Sequence, residues 1–156
     1  MLNVRVYGIL INQDRQVLVS DEFIRGMYIT KFCGGGLEEG EGNRDCLRRE
    51  FMEEMNLEVQ VTDHLYTTDY YQPSAFSEGD QILSIYYFVK ALQPITAPVS
   101  RTPFQFDEVQ LALYKEKGQI ESFRFIPAED FNAECMTLPI DKLVAKMVKT
   151  QLKFEH

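Results

Sequence analysis

The sequence predicts a mixed α/β fold, and three observations point to it. Several short apolar runs have the composition of β-strands, an amphipathic helix lies near the middle of the chain, and a second one lies near its C-terminal end. The 156 residues are 45% apolar, which is enough for one well-packed domain and too little for two. We therefore expect a single domain over residues 1–156, an α/β sandwich.

The first strands are predicted on both sides of a polar turn. Apolar residues dominate 3–11, the polar segment 12–15 interrupts them, and 16–20 is apolar again, so the two strands are expected to pair as a hairpin. A strand over 28–32 leads into three glycines at 34–36. Because glycine has no side chain, we expect a tight turn whose amides and carbonyls a phosphate or a metal ion can approach.

A helix is predicted over residues 43–55. Leu47, Phe51 and Met55 recur every four residues, which is the spacing of a stripe buried on one face. Asn56 is expected to end the helix in the left-handed conformation, which asparagine tolerates better than other non-glycine residues.

Acidic side chains are expected to gather beside this buried stripe. At about 100° per residue, Glu50, Glu53 and Glu54 share one flank of the helix, and Glu41 lies just before its start. Like charges at this spacing repel by roughly a few tenths of a kcal/mol per pair, so a cation is expected among them. Mg²⁺ fits because it binds carboxylate oxygens, with Mn²⁺ as a substitute, and Arg49 could orient one carboxylate. A solvated acidic surface is the ordinary alternative.

The second half of the chain is predicted to hold further strands and a final helix. The pattern favours strands over 58–62, continuing to residue 68, over 82–89 and over 121–125. Between them, 93–119 contains three prolines and is expected to be an extended loop, with 106–114 left unassigned. A helix is predicted over 140–152. Its apolar residues at helical spacing are Leu143, Val144, Met147 and Val148.

Composition and charge narrow the kinds of function. With a net charge of −8 and no cluster of basic residues, binding to duplex nucleic acid is disfavoured. No apolar stretch approaches the roughly 20 residues of a membrane span, and no signal sequence is recognisable. Three cysteines without paired spacing are typical of reduced thiols. We expect a cytoplasmic protein without nucleic-acid or membrane partners.

The segment 35–57 has a pattern more specific than a helix. It follows G-x5-E-x7-R-E-U-x-E-E-x-G-U, where U is a bulky apolar residue. The matching identities are Gly35, Glu41, Arg49, Glu50, Glu53 and Glu54. This pattern resembles the Nudix box, and the chain departs from it at Asn56, which stands in place of a glycine.

The resemblance implies a Nudix fold, with a mixed sheet between helices, and hydrolysis of a nucleoside diphosphate linked to another moiety. At the matched positions it implies that Glu53 and Glu54 bind the metal ion and that Glu50 is a ligand or the general base. The supporting positions that it implies are Glu41, Arg49, which would hold a glutamate in place, and the carbonyl of Gly34.

An acidic residue from a later loop is also implied by the resemblance. The candidates are Asp107, Glu108 and Glu121, of which we favour Glu121 because it precedes the 125–127 segment. A salt-bridged surface glutamate is an equal alternative.

Substrate choice is expected to depend on residues outside the box. Pro73 lies sixteen residues beyond Leu57, as in the family's ADP-ribose hydrolases, although a turn-rich loop can also place a proline there by chance. Tyr66, Tyr70, Tyr71 and Phe76 could stack on a base, because aromatic faces accept any base, although at least two of them are expected to pack in the core or sheet instead. The expected substrate-binding residues are Gly35, Gly36, Tyr70, Tyr71 and Pro73.

We therefore expect a small nucleotide-derived substrate, with a nucleoside diphosphate sugar such as ADP-ribose weakly favoured. Two alternatives stay open. One is a (deoxy)nucleoside triphosphate pyrophosphatase acting on normal or oxidised nucleotides, and the other is a nucleotide sensor without catalysis. A homodimer is also compatible with the resemblance.

Overall fold

The mixed α/β class is confirmed. Residues 1–154, which the computed structural model describes, form eight β-strands, three α-helices and one 3₁₀ turn. The strands are β1 (Leu2–Leu10), β2 (Gln16–Ile24), β3 (Met27–Lys31), β4 (Cys33–Gly36), β5 (Val59–Thr67), β6 (Gln81–Ala91), β7 (Val99–Ser100) and β8 (Gln119–Pro127). The helices are α1 (Asn43–Met55), α2 (Glu108–Lys117) and α3 (Pro139–Phe154), and the 3₁₀ turn is Ala133–Cys135.

The chain divides into two compact units, each with its own four-stranded sheet. The first unit contains residues 1–10 and 33–96, with the strand order β4-β1-β6-β5. The second contains residues 11–32 and 97–154, with the order β3-β2-β8-β7. Both sheets are mixed, because β1 runs parallel to β6 and β7 runs parallel to β8, whereas the other pairs are antiparallel. The single domain stays a prediction.

The predicted hairpin between β1 and β2 forms only at its turn, where Ile11 forms an antiparallel bridge with Val17 and the Asn12 amide donates to the Gln16 carbonyl at 3.0 Å. In the first unit, β1 lies between β4 and β6 and is aligned with β6 along its whole length, from Leu2 opposite Gln81 to Leu10 opposite Val89. Residues Val6 to Leu10 are buried on both faces, as expected of a central strand. Beyond this turn, β1 pairs with β4 and β6, whereas β2 pairs with β3 and β8.

The three glycines do not form the expected turn. They continue β4, which pairs antiparallel with β1, so that Gly34 lies opposite Tyr7 and Gly35 opposite Val6. A Cβ atom at Gly34 would lie 2.1 Å from the carbonyl oxygen of Val6. The glycines therefore allow two backbones to approach closely inside a sheet.

Helix α1 begins and ends where the sequence predicts. Leu47, Phe51 and Met55 are buried, and Phe51 packs over β1 at Gly8, where a Cβ atom would lie 2.8 Å from the Phe51 ring. Asn56 ends the helix in the left-handed conformation (φ 50°, ψ 42°), and its amide donates to the Met52 carbonyl at 3.0 Å. Both predictions for this helix are confirmed.

Helix α3 is also confirmed, and it extends two residues beyond the predicted end. Val144 and Val148 are fully buried, whereas Leu143 and Met147 are only half-buried. The buried face of the helix is therefore centred on the two valines. No helix within residues 1–154 is long and apolar enough to cross a membrane.

Helix α2 was not predicted, because it lies in the segment expected to be an extended loop. Its large aliphatic residues Val109, Leu111 and Leu113 are exposed and no residue of the helix is buried, so no buried stripe marks it. The ends of the helix do carry a signal. Asp107 and Gln110 form a capping box, and Gly118 follows the last turn with φ 72°.

Candidate active site

Arg49 stands at the centre of an acidic cluster in the first unit. It projects from α1 and binds Glu41 through two hydrogen bonds, from Nε to Oε2 (2.9 Å) and from Nη2 to Oε1 (2.7 Å). Glu41 also accepts the amide of Glu38 at 2.9 Å. The hydrogen bonds from Arg49, assisted by this amide, lower the pKa of Glu41 to about 2. Glu41 is therefore ionised at neutral pH and holds the guanidinium in place.

Two further glutamates converge on the same guanidinium. Arg49 Nη1 donates to Glu50 Oε1 at 3.1 Å and to Glu53 Oε2 at 3.2 Å. Glu50 is nearly buried, with 13% of its side chain exposed, whereas Glu53 is 58% exposed. Hydrogen bonds to Glu41 and then to Glu50 raise the pKa of Arg49 above its usual range, so it stays charged. The carboxylates of Glu50 and Glu53 thus meet at one nitrogen of the guanidinium.

The backbone of β4 forms one wall of this cluster. Arg49 Nη2 donates to the Gly36 carbonyl at 3.0 Å. A Cβ atom at Gly35 would lie 2.3 Å from Glu50 Oε1 and 2.4 Å from its carboxyl carbon. The carboxylate of Glu50 therefore occupies the space that any side chain at position 35 would fill. This contact explains why the first position of the box is a glycine, which the sequence did not reveal.

Cys46 lies beneath the cluster and was not identified from the sequence. Its Sγ is 3.6 Å from the Gly36 carbonyl and 3.7 Å from Arg49 Nη2. Burial, followed by the neighbouring charge of Glu41, raises the pKa of the Cys46 thiol to about 12. The thiol is neutral at physiological pH and is poorly suited to act as a nucleophile.

The remaining predicted residues of the first unit lie on α1, on β4 and in a loop. Glu54 is half-buried on α1, and Gly34 lies in β4. Tyr70 and Tyr71 are 46% and 64% exposed. Pro73 is exposed and forms an isolated bridge with Gln81. Glu38, which the sequence reasoning missed, lies 3.6 Å from Arg49 Nη1.

Glu121 belongs to the second unit, in β8. The Ser20 hydroxyl donates a hydrogen bond to Glu121 Oε2, and the ammonium of Lys31 lies 3.9 Å from the same oxygen. Lys31 also lies 3.3 Å from Glu22, which is the cross-strand neighbour of Glu121. Glu121 thus forms a salt bridge with Lys31, as expected if it is a salt-bridged glutamate rather than a catalytic residue.

Within residues 1–154, no group of three or more His, Cys, Asp or Glu side chains is spaced to hold a metal ion. Arg49 occupies the region among the carboxylates. The donor set nevertheless fits a divalent cation such as Mg²⁺ or Mn²⁺, because every donor on α1 is a carboxylate oxygen. Two of these oxygens, one each from Glu50 and Glu53, already converge on one cationic nitrogen.

The NUDIX domain model matches residues 1–147, so the chain belongs to the Nudix family. It is a Nudix hydrolase, in a family whose members act on pyrophosphate bonds and generally use divalent metal ions. No curated protein sequence matches the chain significantly.

Solved structures with the same fold are similar to the chain over nearly its whole length. A Nudix hydrolase from Nitrosomonas europaea has a TM-score of 0.63 and 18% identity, covering 99% of this chain and 89% of its own. The MutT protein from Methanosarcina mazei has a TM-score of 0.63 and 11% identity, covering 99% and 96%. An ADP-ribose pyrophosphatase from Streptococcus suis has a TM-score of 0.59 and 15% identity, covering 99% and 94%. At these identities the similarity concerns the fold.

Proposed function

We propose that this Nudix hydrolase cleaves the pyrophosphate of a nucleoside diphosphate linked to another moiety, with Mg²⁺ as the cofactor. The favoured substrate is a nucleoside diphosphate sugar such as ADP-ribose. One observation carries the proposal. Arg49 gathers Glu41, Glu50 and Glu53 around a stretch of β4 that Gly35 keeps free of side chains.

Each residue of the cluster has a proposed role. Glu53 and Glu54 would hold the metal ion, Glu50 would share it or accept a proton from water, and the Gly34 carbonyl would add a ligand. When bound, the divalent cation neutralises phosphate charge and lowers the pKa of water. Glu41 keeps Arg49 in place, so that the guanidinium stays beside Glu50 and Glu53.

Water is the proposed nucleophile. Its oxygen forms a bond to phosphorus, the bridging P–O bond breaks, and the leaving phosphate takes the electron pair while a carboxylate accepts the proton. Hydrolysis of ADP-ribose in this way yields AMP and ribose 5-phosphate. The thiol of Cys46, which contacts Arg49, is neutral and therefore does not compete with water as a nucleophile. We retain Glu121 as a candidate for an additional acidic group.

The preference for a nucleoside diphosphate sugar rests on Pro73 and on the two exposed tyrosines beside it. Similarity to an ADP-ribose pyrophosphatase and to a MutT protein does not choose between substrates, since both share the fold. With a net charge of −8, we propose a small nucleotide as the partner, rather than nucleic acid or a membrane. A cytoplasmic location and a homodimer are further proposals, which fractionation and sedimentation would check.

The proposed reaction is tested with a nucleotide panel in Mg²⁺ and then in Mn²⁺, with the products separated by chromatography. We expect ADP-ribose to give AMP, and we expect Glu50→Gln and Glu53→Gln to lower kcat by about 100-fold or more. Glu39→Gln is the matched control, because Glu39 is an exposed glutamate of the loop before α1, and its activity should stay within about twofold of the wild type.

Two results would correct the proposal in different ways. Cleavage of triphosphates with release of pyrophosphate, while ADP-ribose stays intact, would show that Pro73 does not indicate the substrate. Nucleotide binding without any turnover would favour the sensor.

A further inference from the structure

A group of hydrogen bonds in the first unit fastens the loop that carries the exposed tyrosines. This loop, residues 68–80, joins β5 to β6. Thr68 at its start and Ser84 in β6 are both buried. The Thr68 amide donates to the Ser84 carbonyl (2.9 Å), and the Ser84 amide donates to the Thr68 hydroxyl oxygen (3.0 Å). The start of the loop is therefore fixed to the sheet.

Gln72 completes the group, and we call Thr68, Gln72 and Ser84 the clasp. The Ser84 hydroxyl donates to Gln72 Oε1 at 3.2 Å. The Thr68 hydroxyl lies 3.4 Å from the same oxygen and 3.1 Å from the Ser84 carbonyl, so it can donate to either. The main chain of Gln72 is also held, because its carbonyl accepts the Ile82 amide at 2.8 Å. Both the side chain and the backbone of Gln72 are thus tied to β6.

The clasp places two tyrosines between fixed points. On one side, the Tyr66 hydroxyl donates to Asp69 at 2.8 Å, and on the other side Gln72 is held in the clasp. Tyr70 and Tyr71 are the two residues between these anchors, and about half or more of each is exposed. Ordering a loop costs conformational entropy, and a loop that is ordered before binding avoids that cost when a ligand arrives.

We propose that Gln72 is a positioning residue for the base-bearing half of the substrate. Through the clasp, it holds Tyr70 and Tyr71 where their rings stack on a nucleobase. This inference rests on the proposed function for its choice of substrate. Since aromatic faces stack on any base, the clasp favours ligands that carry a base over ligands with only sugar and phosphate.

The test uses the two products of ADP-ribose hydrolysis as paired probes, because AMP carries a base and ribose 5-phosphate does not. Gln72→Ala removes the oxygen that accepts in the clasp. We expect it to raise the KM for ADP-ribose and the Kd for AMP about 5- to 10-fold, with kcat within about twofold and the Kd for ribose 5-phosphate unchanged. Tyrosine fluorescence can follow binding, because the chain has no tryptophan.

Ser74→Ala is the matched control for a lost hydrogen bond in the same loop. The Ser74 hydroxyl oxygen accepts the amides of Phe76 (3.1 Å) and Ser77 (3.0 Å), away from the clasp. We expect this variant to bind AMP like the wild type. If the clasp acts as a unit, Gln72→Ala and Ser84→Ala are not additive. The double variant Gln72→Ala/Ser84→Ala should then bind AMP no more weakly than whichever single variant has the higher Kd.

Several results would overturn the proposal. One is a loss of AMP binding in Ser74→Ala as large as that in Gln72→Ala, and another is a lower kcat at constant KM in Gln72→Ala. The others are equal changes in the Kd values for AMP and ribose 5-phosphate in Gln72→Ala, and the absence of AMP binding by the wild type. Equilibrium binding of AMP needs no turnover. If ADP-ribose is not hydrolysed but AMP binding still depends on Gln72, the clasp is supported and only the proposed reaction is contradicted.

Discussion

At the scale of single residues, the geometry of the acidic cluster depends on close contacts between neighbouring atoms. Gly35 is the clearest case, because the carboxylate of Glu50 lies where its side chain would be. We expect Gly35→Ala to displace Glu50 and to lower kcat about 100-fold while the fold is kept, since a misplacement of about 1 Å can cost that much. Steady-state kinetics and circular dichroism would measure the two effects.

Gly36→Ala is the comparison for this prediction. For a Cβ atom at Gly36, the nearest neighbouring atom would be Arg5 Nη1, at 3.8 Å. The substitution should therefore lower kcat much less than Gly35→Ala. Equal effects of the two substitutions would mean that the contact with Glu50 does not matter for the reaction.

The contact between Glu41 and Arg49 should make stability depend on pH. The pKa of Glu41 is lowered from 4.5 to about 2, mainly by hydrogen bonds from Arg49. A lowered pKa means that the stabilisation is complete above pH 4.5 and is lost as the pH falls toward 2. In metal-free buffer, the wild type should exceed Glu41→Gln in unfolding free energy above pH 4.5, and the difference should shrink toward pH 2. Denaturant titrations would measure this, and a constant difference would contradict it.

At the scale of secondary-structure elements, the end of α1 offers a test of backbone strain. Asn56 adopts the left-handed conformation. The free energy of this conformation is lowest for glycine and higher for alanine than for asparagine. We expect Asn56→Gly to stabilise the protein by about 0.5 kcal/mol and Asn56→Ala to destabilise it by about 1 kcal/mol, as measured by chemical denaturation. Catalysis should be unchanged in both, and effects of the same sign would contradict this explanation.

The elements also show why sequence patterns succeed for some segments and fail for others. In α1 and α3, buried residues recur at helical spacing, and the period can be read from neighbouring residues. In α2, no residue is buried, so its apolar residues give no helical period. The capping box at Asp107 and the glycine at position 118 were the better signals for this helix.

At the scale of the whole molecule, stability in the second unit depends on a buried charge. Asp21 is fully buried and accepts hydrogen bonds from Arg124 (2.8 and 3.0 Å), from the Thr30 hydroxyl (2.7 Å) and from the Phe104 amide (3.3 Å). It thereby joins β2, β3, β8 and the segment before α2. Among the described residues, Arg124 forms an ion pair only with the Asp21 carboxylate.

We expect Asp21→Asn to lower the free energy of unfolding by about 3–5 kcal/mol, because it leaves the Arg124 charge without its partner. Asp14→Asn is the matched control, since Asp14 is exposed in the turn before β2. Urea titrations would compare the two variants. A loss of similar size in both would show that the buried ion pair contributes little.

What the sequence alone determined is mainly local. It predicted α1 with its bounds, the left-handed Asn56, the acidic flank and the family pattern, because spacing along one helix is fixed by its 3.6-residue period. The tertiary structure decided which strands pair, that the three glycines lie in a strand, that Arg49 is the centre of the cluster, and that Gln72 fastens the tyrosine loop. These features depend on hydrogen bonds and close contacts between segments distant in the chain, which no local pattern records.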